Sequence, residues 1–287
     1  MDRPFPTPRM RRGRSVVGSD TARDDRESPV SRDAPTQSTG RRLVFIGGLH
    51  RSGTTLVGRA LAEHPLVSGF EGTGVPADEG QHLQSVYPPA KVYGGPGLFA
   101  FAAEAHLTED SPLVSAESRE RLLADWSRHW DLGKPVLVEK SPPNLIRMRF
   151  LQALFPDASF VVVTRHPIPV AYATAKWRRG ESLRTLVRHW VVAHEIYRDD
   201  RERVGRIHEV RYEELVRDPN AVLGRAYGFL GLEPVETALE VRRNADEGYL
   251  RRWAEEGRTI RGRMAHARIR RELGARVEAL GYDLDVA

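Results

Sequence analysis

Residues 43–55 read LVFIGGLHRSGTT, and this stretch decides the fold. The run LVFIGG is apolar throughout and ends in two glycines, a pattern typical of a short strand buried on both faces, as in a parallel sheet. The next residues, TTLVGRALAEHP, place apolar side chains on one face of a helix that ends before Pro65. We therefore predict a strand, a glycine-containing loop and a helix in direct succession.

The loop itself fits a phosphate-binding template. Gly48 and Gly53 are separated by four residues, and glycine permits the tight turns that bring backbone amides towards an anion. The start of the following helix adds unpaired N–H groups and the positive end of its dipole. Thr54 stands where phosphate-loop nucleotide triphosphatases carry a lysine, so ATP hydrolysis is disfavoured while phosphate binding is still expected.

Strand and helix patterns alternate after this unit. Three later segments share the apolar strand pattern, at residues 135–139, 159–164 and 206–212. Four segments share helical signals, at residues 115–130, 143–154, 167–177 and 183–197, and the C-terminal remainder is helical to near Gly281. Residues 65–97 are dense in glycine and proline, which predicts a long irregular stretch. The alternation indicates an α/β fold with a P-loop-like central parallel β-sheet flanked by helices.

Polar residues follow three of the predicted strands. They are the RSGTT run of residues 51–55, Lys140 with Ser141, and Arg165. Ligands of open parallel sheets bind outside the carboxyl ends of the strands. We therefore expect these side chains to converge on one crevice, which is the predicted functional site.

Composition narrows the chemistry. The chain has no cysteine, which excludes disulfides, thiolate nucleophiles and cysteine-ligated metals. No pair of histidines has a recognisable metal-ligand spacing, so no metal is expected. The formal net charge is +5, but the basic residues are scattered among almost as many acidic ones. This pattern favours a solvated arginine-rich surface over a nucleic-acid partner.

The first residues differ in character from the rest. Residues 1–40 are rich in Arg, Asp, Pro, Ser and Thr, so we predict a disordered tail followed by one domain over residues 41–287. The N-terminus lacks the apolar run of a signal peptide, and no later segment has the length and apolarity of a membrane span. These features predict a cytoplasmic protein, and nothing in the sequence indicates its oligomeric state.

The loop and its surroundings resemble the 5′-phosphosulfate loop of sulfotransferases that use 3′-phosphoadenosine 5′-phosphosulfate (PAPS), above all the branch that includes bacterial and tyrosylprotein enzymes. The similarity rests on RSGTT after an apolar strand, followed by a helix and by HP at residues 64–65. The resemblance implies PAPS as co-substrate, a hydroxyl-bearing acceptor and no metal. It also implies that five residues hold the 5′-phosphate and sulfonate of the donor: Arg51, Ser52, Gly53, Thr54 and Thr55.

Two later motifs extend the resemblance. TRHPIPVA is similar to the family's 3′-phosphate site, which implies that Arg165 binds this phosphate through charge-assisted hydrogen bonds. The family usually carries a serine eight residues further on, but this chain has Ala173 there, and Thr174 is the candidate replacement. VRYEELVRDP resembles a segment whose tyrosine lies near the adenosine, which implies this role for Tyr212. A structural salt bridge for Arg165 and simple packing for Tyr212 stay open as alternatives.

Lys140 is the candidate residue for binding the transferred sulfuryl group. Sulfuryl transfer resembles phosphoryl transfer in needing in-line geometry and stabilisation of charge on the leaving oxygen. In EKSPPNL, Lys140 matches the family's lysine that contacts the transferred group and the bridging oxygen, and an ammonium aimed at developing charge lowers the barrier. The alternative is a surface ion pair between Lys140 and Glu139.

An acceptor hydroxyl must lose its proton, so a general base is needed. The resemblance to the tyrosylprotein branch implies Glu71, which falls at or next to the position of that branch's glutamate after HP. His82 is the second candidate, because histidine titrates near neutral pH. Asp78 and Glu79 lie in the same loop and stay open as further candidates.

Two other functions compete with sulfuryl transfer. A P-loop kinase-like nucleotide-binding protein would need a lysine in the loop and a Mg²⁺-holding carboxylate after a strand, for which Glu139 is the only loose candidate. A non-catalytic PAPS- or nucleotide-binding module would keep the loop and lose the chemistry. The sequence leaves the acceptor open among small molecules, carbohydrates and peptides.

Overall fold

A computed structural model describes residues 40–239 and 244–285, so the predicted tail lies outside the described residues except for Gly40. The described part contains a 5-stranded sheet in the order β2-β3-β1-β4-β5, and every neighbouring pair is parallel. The strands are β1 (Arg42–Gly48), β2 (Val67–Ser68), β3 (Val136–Lys140), β4 (Ser159–Thr164) and β5 (Ile207–Arg211). The predicted α/β fold with a central parallel sheet is confirmed.

Helices follow the strands along the chain. They are α1 (Thr54–Ala62), α2 (Ala116–Ser127), α3 (Met148–Leu154), α4 (Pro167–Ala175), α5 (Leu183–Arg201), α6 (Tyr212–Arg217), α7 (Pro219–Phe229), α8 (Glu247–Arg258) and α9 (Ile260–Glu278). The strand–loop–helix unit predicted from residues 43–55 is therefore β1, the loop and α1. The helices predicted over residues 115–130, 167–177 and 183–197 are confirmed as α2, α4 and α5.

The sheet is buried on both faces, as the apolar runs predict. Alternate residues of a strand point to opposite faces, and in β1 Val44 and Ile46 belong to one apolar cluster while Phe45 belongs to the other. Helices α1 and α7 cover the first face, and α3, α4, α5 and α9 contribute to the second. In the central strands β1, β3 and β4, Lys140 and the residues that follow β1 and β4 then bring polar side chains to the carboxyl ends.

The helix predicted over residues 143–154 is broken. A 3₁₀-helix covers Pro142–Ile146, and α3 begins only after Arg147, whose backbone angles (φ −131°, ψ 8°) are not helical. The Arg147 side chain is fully buried and donates hydrogen bonds to the carbonyls of Ala105 and Pro88. The break turns this guanidinium inward, where it fastens the irregular stretch to the core.

The stretch between β2 and α2 is irregular, as predicted, but it is well anchored. Five short 3₁₀-helices lie between residues 76 and 105. The indole Nε1 of Trp126 donates to the Gly80 carbonyl, and the Gln81 side chain accepts from the Ala90 amide. Strand β2 has only two residues, too few to give a pattern in the sequence. The irregular stretch is hydrogen-bonded to Lys140 and Ser141 at the carboxyl end of β3.

Candidate functional site

The central strands bring the predicted site residues to one edge of the sheet. Strand β1 lies between β3 and β4, with Ile46 opposite Lys140 and Gly48 opposite Val163. The loop after β1 is therefore flanked by Lys140 on the β3 side and by Arg165 on the β4 side. The sequence-based expectation placed these groups in one crevice, and the register puts them on adjacent strands.

The loop presents backbone amides to an anion. Residue Arg51 has a φ of +71° and Gly53 a φ of +104°, while the Ser52 amide and hydroxyl both bond to the Leu49 carbonyl (3.0 and 2.7 Å). No side chain caps α1, and its first turn holds no acidic residue. The Gly53, Thr54 and Thr55 amides have no acceptor within the described residues. Uncapped amides at a helix start form an anion-binding cradle.

The side chains of the loop diverge. The Ser52 hydroxyl is buried against the Leu49 carbonyl, and Thr54 is also buried. Arg51 is exposed, with its guanidinium carbon 4.7 Å from the centre of the Trp177 ring. Thr55 lines the cleft described below. In this arrangement the cradle itself is made by backbone amides, with Arg51 and Thr55 at its rim.

Arg165 lies directly against the loop. Its Nη1 donates to the Arg51 carbonyl at 2.6 Å, and its guanidinium carbon lies 4.0 Å from the centre of the Tyr212 ring. The Tyr212 ring in turn packs on Gly53 so closely that a Cβ there would lie 2.6 Å from a ring carbon. The loop, Arg165 and Tyr212 therefore form one contact group. The remaining side of the guanidinium forms an ion pair with Asp246, a residue that sequence reasoning missed because no local pattern points to it.

Thr174 lies in different surroundings. Its side chain is buried and lines a void of about 10 Å³ together with His50, Gly97 and His189. It makes no hydrogen bond with another side chain or with the loop in the described part of the chain. The groups that contact Arg165 are Arg51, Tyr212 and Asp246 instead. Thr174 and Arg165 are thus not brought into contact.

Lys140 is held by the irregular stretch. Its Nζ donates to the Ala77 carbonyl at 2.8 Å and lies 3.5 Å from Oε1 of Glu79. Both side chains are 8% exposed, and burial lowers the pKa of Lys140, opposed chiefly by the charge of Glu79. The alternative of a surface pair with Glu139 is wrong, because Glu139 is fully buried.

Glu139 belongs to a polar network inside the core. Its carboxylate accepts hydrogen bonds from the Ser141 hydroxyl and from the side-chain Nδ2 of Asn144, each 2.5 Å long. The Ser141 hydroxyl oxygen also accepts a hydrogen bond from the backbone N–H of Gln81 at 2.8 Å, so this hydroxyl faces inward. Burial raises the pKa of Glu139 to about 7, with the two hydrogen bonds acting in the opposite direction. The network ties the irregular stretch to the end of β3.

This network predicts a pH effect on stability. The pKa of Glu139 is about 7 in the folded protein and 4.5 ordinarily, so the folded protein holds this proton more tightly than the unfolded chain. The resulting contribution to the free energy of unfolding is complete below pH 4.5 and is lost as the pH rises through 7. Glu139→Gln removes this titration. The free energy of unfolding of the variant, taken relative to that of wild type, is expected to be roughly 2–3 kcal/mol higher at pH 8 than at pH 4. Urea denaturation of both proteins at both pH values measures this difference. Parallel pH profiles for the two proteins would contradict the assignment.

A cleft opens beside Lys140 and the loop, with a volume of about 810 Å³. Its walls come from α1, from the turn after β2 and from the irregular stretch. The lining includes Thr55, Arg59, Phe70, Glu71, Asp78, His129, Lys134 and Lys140. Positive and negative side chains are mixed, and Phe70 stacks on Trp130 with ring centres 5.0 Å apart. The cleft is large enough for a drug-sized ligand or a side chain of a peptide.

The four base candidates differ in their surroundings. Glu71 lines the cleft, is exposed and makes no hydrogen bond or ion pair within the described ranges. Asp78 also lines the cleft, but its Oδ1 accepts from the Thr73 amide and hydroxyl (2.8 and 2.7 Å), and the hydroxyl bond above all lowers its pKa. Glu79 is buried beside Lys140. His82 lies 3.9 Å from Glu79, outside the cleft lining, and burial lowers its pKa.

A model of the sulfotransferase family matches residues 44–237, from the first buried residue of β1 to beyond α7. The chain belongs to the sulfotransferase family. It is 27% identical to protein-tyrosine sulfotransferase 2 of Gallus gallus over 208 residues, which cover 69% of this chain and 53% of the relative. It is 28% identical to protein-tyrosine sulfotransferase 1 of Danio rerio over 199 residues, covering 66% and 53%. The chain thus spans about half the length of these relatives.

Among solved structures, the sulfotransferase domain of the Synechococcus PCC 7002 olefin synthase is similar to this sulfotransferase. The two share 22% sequence identity with a TM-score of 0.46, and the match covers 71% of this chain and 78% of that domain. In the described part of this sulfotransferase, no group of three or more His, Cys, Asp or Glu residues could hold a metal ion. No described helix is both long and apolar enough to cross a membrane.

Proposed function

We propose that this sulfotransferase moves the sulfuryl group of PAPS to a hydroxyl of an acceptor bound in the 810 Å³ cleft. The observation that carries the proposal is the position of Lys140. Lys140 lines the cleft together with Thr55 of the amide cradle, on a strand that neighbours β1 in the sheet. A fixed cation between an anion cradle and a substrate-sized cleft is what transfer of a charged group requires.

The residues present fit the donor. The 5′-phosphosulfate would lie on the amides of Gly53, Thr54 and Thr55, with Arg51 and the short Ser52 turn completing the loop. Arg165 would bind the 3′-phosphate, and the Tyr212 ring, packed between Arg165 and Gly53, would contact the adenosine. Thr174 is the weakest part of this assignment, because its hydroxyl lies away from Arg165.

The acceptor would enter the cleft with its hydroxyl towards Glu71. The acceptor oxygen attacks the sulfur while the bond from sulfur to the bridging oxygen of the 5′-phosphate breaks. The hydroxyl proton passes to the Glu71 carboxylate, and Lys140 stabilises the charge that develops on the bridging oxygen. The products are a sulfate ester and 3′-phosphoadenosine 5′-phosphate (PAP). Glu71 is favoured over the other candidates because it is exposed in the cleft and free of partners within the described residues.

The competing functions lack the same support. A phosphate-loop kinase uses a loop lysine and a carboxylate that reaches Mg²⁺. This loop has Thr54 in the lysine position. Glu139 is fully buried and accepts hydrogen bonds from Ser141 and Asn144, so its carboxylate does not face a bound Mg²⁺ ion. The two relatives are named protein-tyrosine sulfotransferases, and the acceptor group of tyrosine is a phenolic hydroxyl. Phenols are accordingly the first acceptor class to test.

Ligand-induced stabilisation tests the donor. We expect PAP at about a hundred times its Kd to add roughly 2.7 kcal/mol, which corresponds to about 5–10 °C in Tm for a domain of this size. ATP with Mg²⁺ is expected to raise Tm by much less, because ATP has no 3′-phosphate for Arg165 and the loop offers no lysine to its β- and γ-phosphates. Differential scanning fluorimetry measures both ligands side by side. The reverse ranking would favour the kinase-like alternative.

Transfer itself is tested with ³⁵S-labelled PAPS and a library of phenols, alcohols, sugars and tyrosine peptides. We expect label on at least one acceptor class, detected by chromatography of the products. If PAP binds but no acceptor in the library is labelled, the non-catalytic binding module becomes the better description.

A further inference from the structure

The carboxylate of Asp246 occupies the side of Arg165 that a phosphate would bind. We propose that Asp246 competes with the 3′-phosphate of the donor nucleotide for Arg165 and so sets the affinity for PAPS and PAP. The inference rests on the proposed function, since it takes Arg165 as the 3′-phosphate ligand. It adds a residue outside the family match, which ends at residue 237.

The guanidinium of Arg165 is enclosed on most sides. Nε donates to Oδ1 of Asp246 at 2.9 Å, and Nη2 donates to the same oxygen. Nη1 donates to the Arg51 carbonyl, and the Tyr212 ring covers one face. A phosphate binds arginine most strongly through two parallel hydrogen bonds from one edge of the guanidinium. The edge formed by Nε and Nη2 is the one that Asp246 takes.

The burial of Arg165 explains why a carboxylate is needed there. Arg165 is 6% exposed, and a buried charge without a counter-charge is strongly unfavourable. The nearby Glu213 is already engaged, because its Oε1 accepts from the His166 amide at 2.7 Å. Asp246 therefore neutralises Arg165 in the ligand-free protein. A phosphate dianion at the same edge would replace one counter-charge with another.

The position of Asp246 at the start of α8 supports this role. Asp246 is the N-cap residue of α8, where an aspartate normally accepts a hydrogen bond from its own helix, but its side chain makes no such bond. The carboxylate is directed to Arg165 instead. When a ligand takes Arg165, the freed carboxylate stays near the positive end of the α8 dipole. Displacement therefore breaks the ion pair that ties the start of α8 to Arg165.

Nucleotides with and without a 3′-phosphate separate this competition from other effects. Adenosine 5′-monophosphate (AMP) fills the loop and leaves the ion pair intact, whereas PAP must displace Asp246. Removing the carboxylate therefore favours PAP alone. Because the bonds from Arg165 to Asp246 are charge-assisted, we expect Asp246→Asn and Asp246→Ser to bind PAP at least about tenfold more tightly than wild type. AMP affinity should change by less than about twofold.

Isothermal titration calorimetry of the full chain measures these affinities. Glu247→Gln is the matched control, because Glu247 is the next acidic residue, is exposed and forms no ion pair in the described ranges. Serine at position 246 keeps a good N-cap residue, which guards against loss of α8. The gain for PAP should vanish when Arg165→Ala is combined with either variant.

Two outcomes overturn the proposal while the proposed function stands. PAP binding that is unchanged or weaker in the Asp246 variants would mean that Asp246 only orients Arg165. Hydrogen exchange on the wild-type protein gives a second readout: PAP, but not AMP, is expected to raise exchange in the first turn of α8, and equal protection by both ligands would refute displacement. If neither nucleotide binds wild type, the proposed function itself fails, and this inference falls with it.

Discussion

Lys140→Ala is expected to lower kcat for sulfuryl transfer by roughly 10²- to 10³-fold, the usual effect of removing a preorganised group that stabilises transition-state charge. Lys140 lines the cleft together with Thr55 of the loop, so we expect its loss to affect the leaving oxygen more than ground-state binding. We expect the Kd for PAP to change by much less than kcat. Single-turnover transfer from labelled PAPS, together with PAP titration, separates the two effects.

Two companions make this result interpretable. Lys91→Ala removes an exposed lysine of the same irregular stretch that does not line the cleft, and its kcat should match wild type. Lys140→Ala also leaves the buried Glu79 without its cation, so Lys140→Ala with Glu79→Gln tests whether stability recovers while activity does not. An active Lys140→Ala protein would remove the main support for the proposed mechanism.

Glu71→Gln is expected to lower kcat by about 10²- to 10⁴-fold, the range for loss of a general base. Glutamine keeps the size of the side chain but cannot take the proton. The effect should be largest for acceptors with weakly acidic alcohols and smaller for phenols, because phenols release the proton more readily. The loss should appear in kcat with little change in the KM of the acceptor, which a purely structural role would not cause.

His82→Gln and Asp78→Asn complete the comparison of base candidates. His82 lies outside the cleft lining, and its substitution should leave kcat within about tenfold of wild type. Asp78 holds the Thr73 turn, so its substitution is expected to lower Tm and to raise KM more than it lowers kcat. If His82→Gln shows the larger loss and Glu71→Gln is nearly normal, the assignment of the base must be exchanged.

Local signals were strong enough to predict the sheet and the loop. Residues 43–48 of β1 and 160–163 of β4 are apolar throughout, and Gly48 and Gly53 frame the four residues of the phosphate-binding turn. The alternation of strands and helices then indicates a parallel sheet, whereas the order of the strands is a result of the structure. Because ligands of parallel sheets bind at the carboxyl ends of the strands, the sequence also predicted that Lys140 and Arg165 lie at the site edge of the sheet.

Contacts between distant segments were not predictable in this way. The pairing of Lys140 with Glu79 depends on how residues 76–82 fold back over β3, and a stretch of 3₁₀-helices has no periodicity that reveals this. The neighbour in sequence, Glu139, was the natural partner but points into the core. Asp246 reaches Arg165 across 81 positions, and Arg147 interrupts a helical pattern to bind carbonyls of another segment. Each case is tertiary packing that overrides a local rule.

The backbone of Ala77 and the carboxylate of Glu79, which hold Lys140, belong to the same stretch that walls the cleft. Any bound molecule that presses on this wall also moves the anchors of the ammonium. A poorly fitting alcohol would therefore bind more weakly and would also react more slowly, because it displaces the Lys140 ammonium. Variants that widen the cleft to admit bulkier compounds should accordingly lose turnover even when they gain affinity.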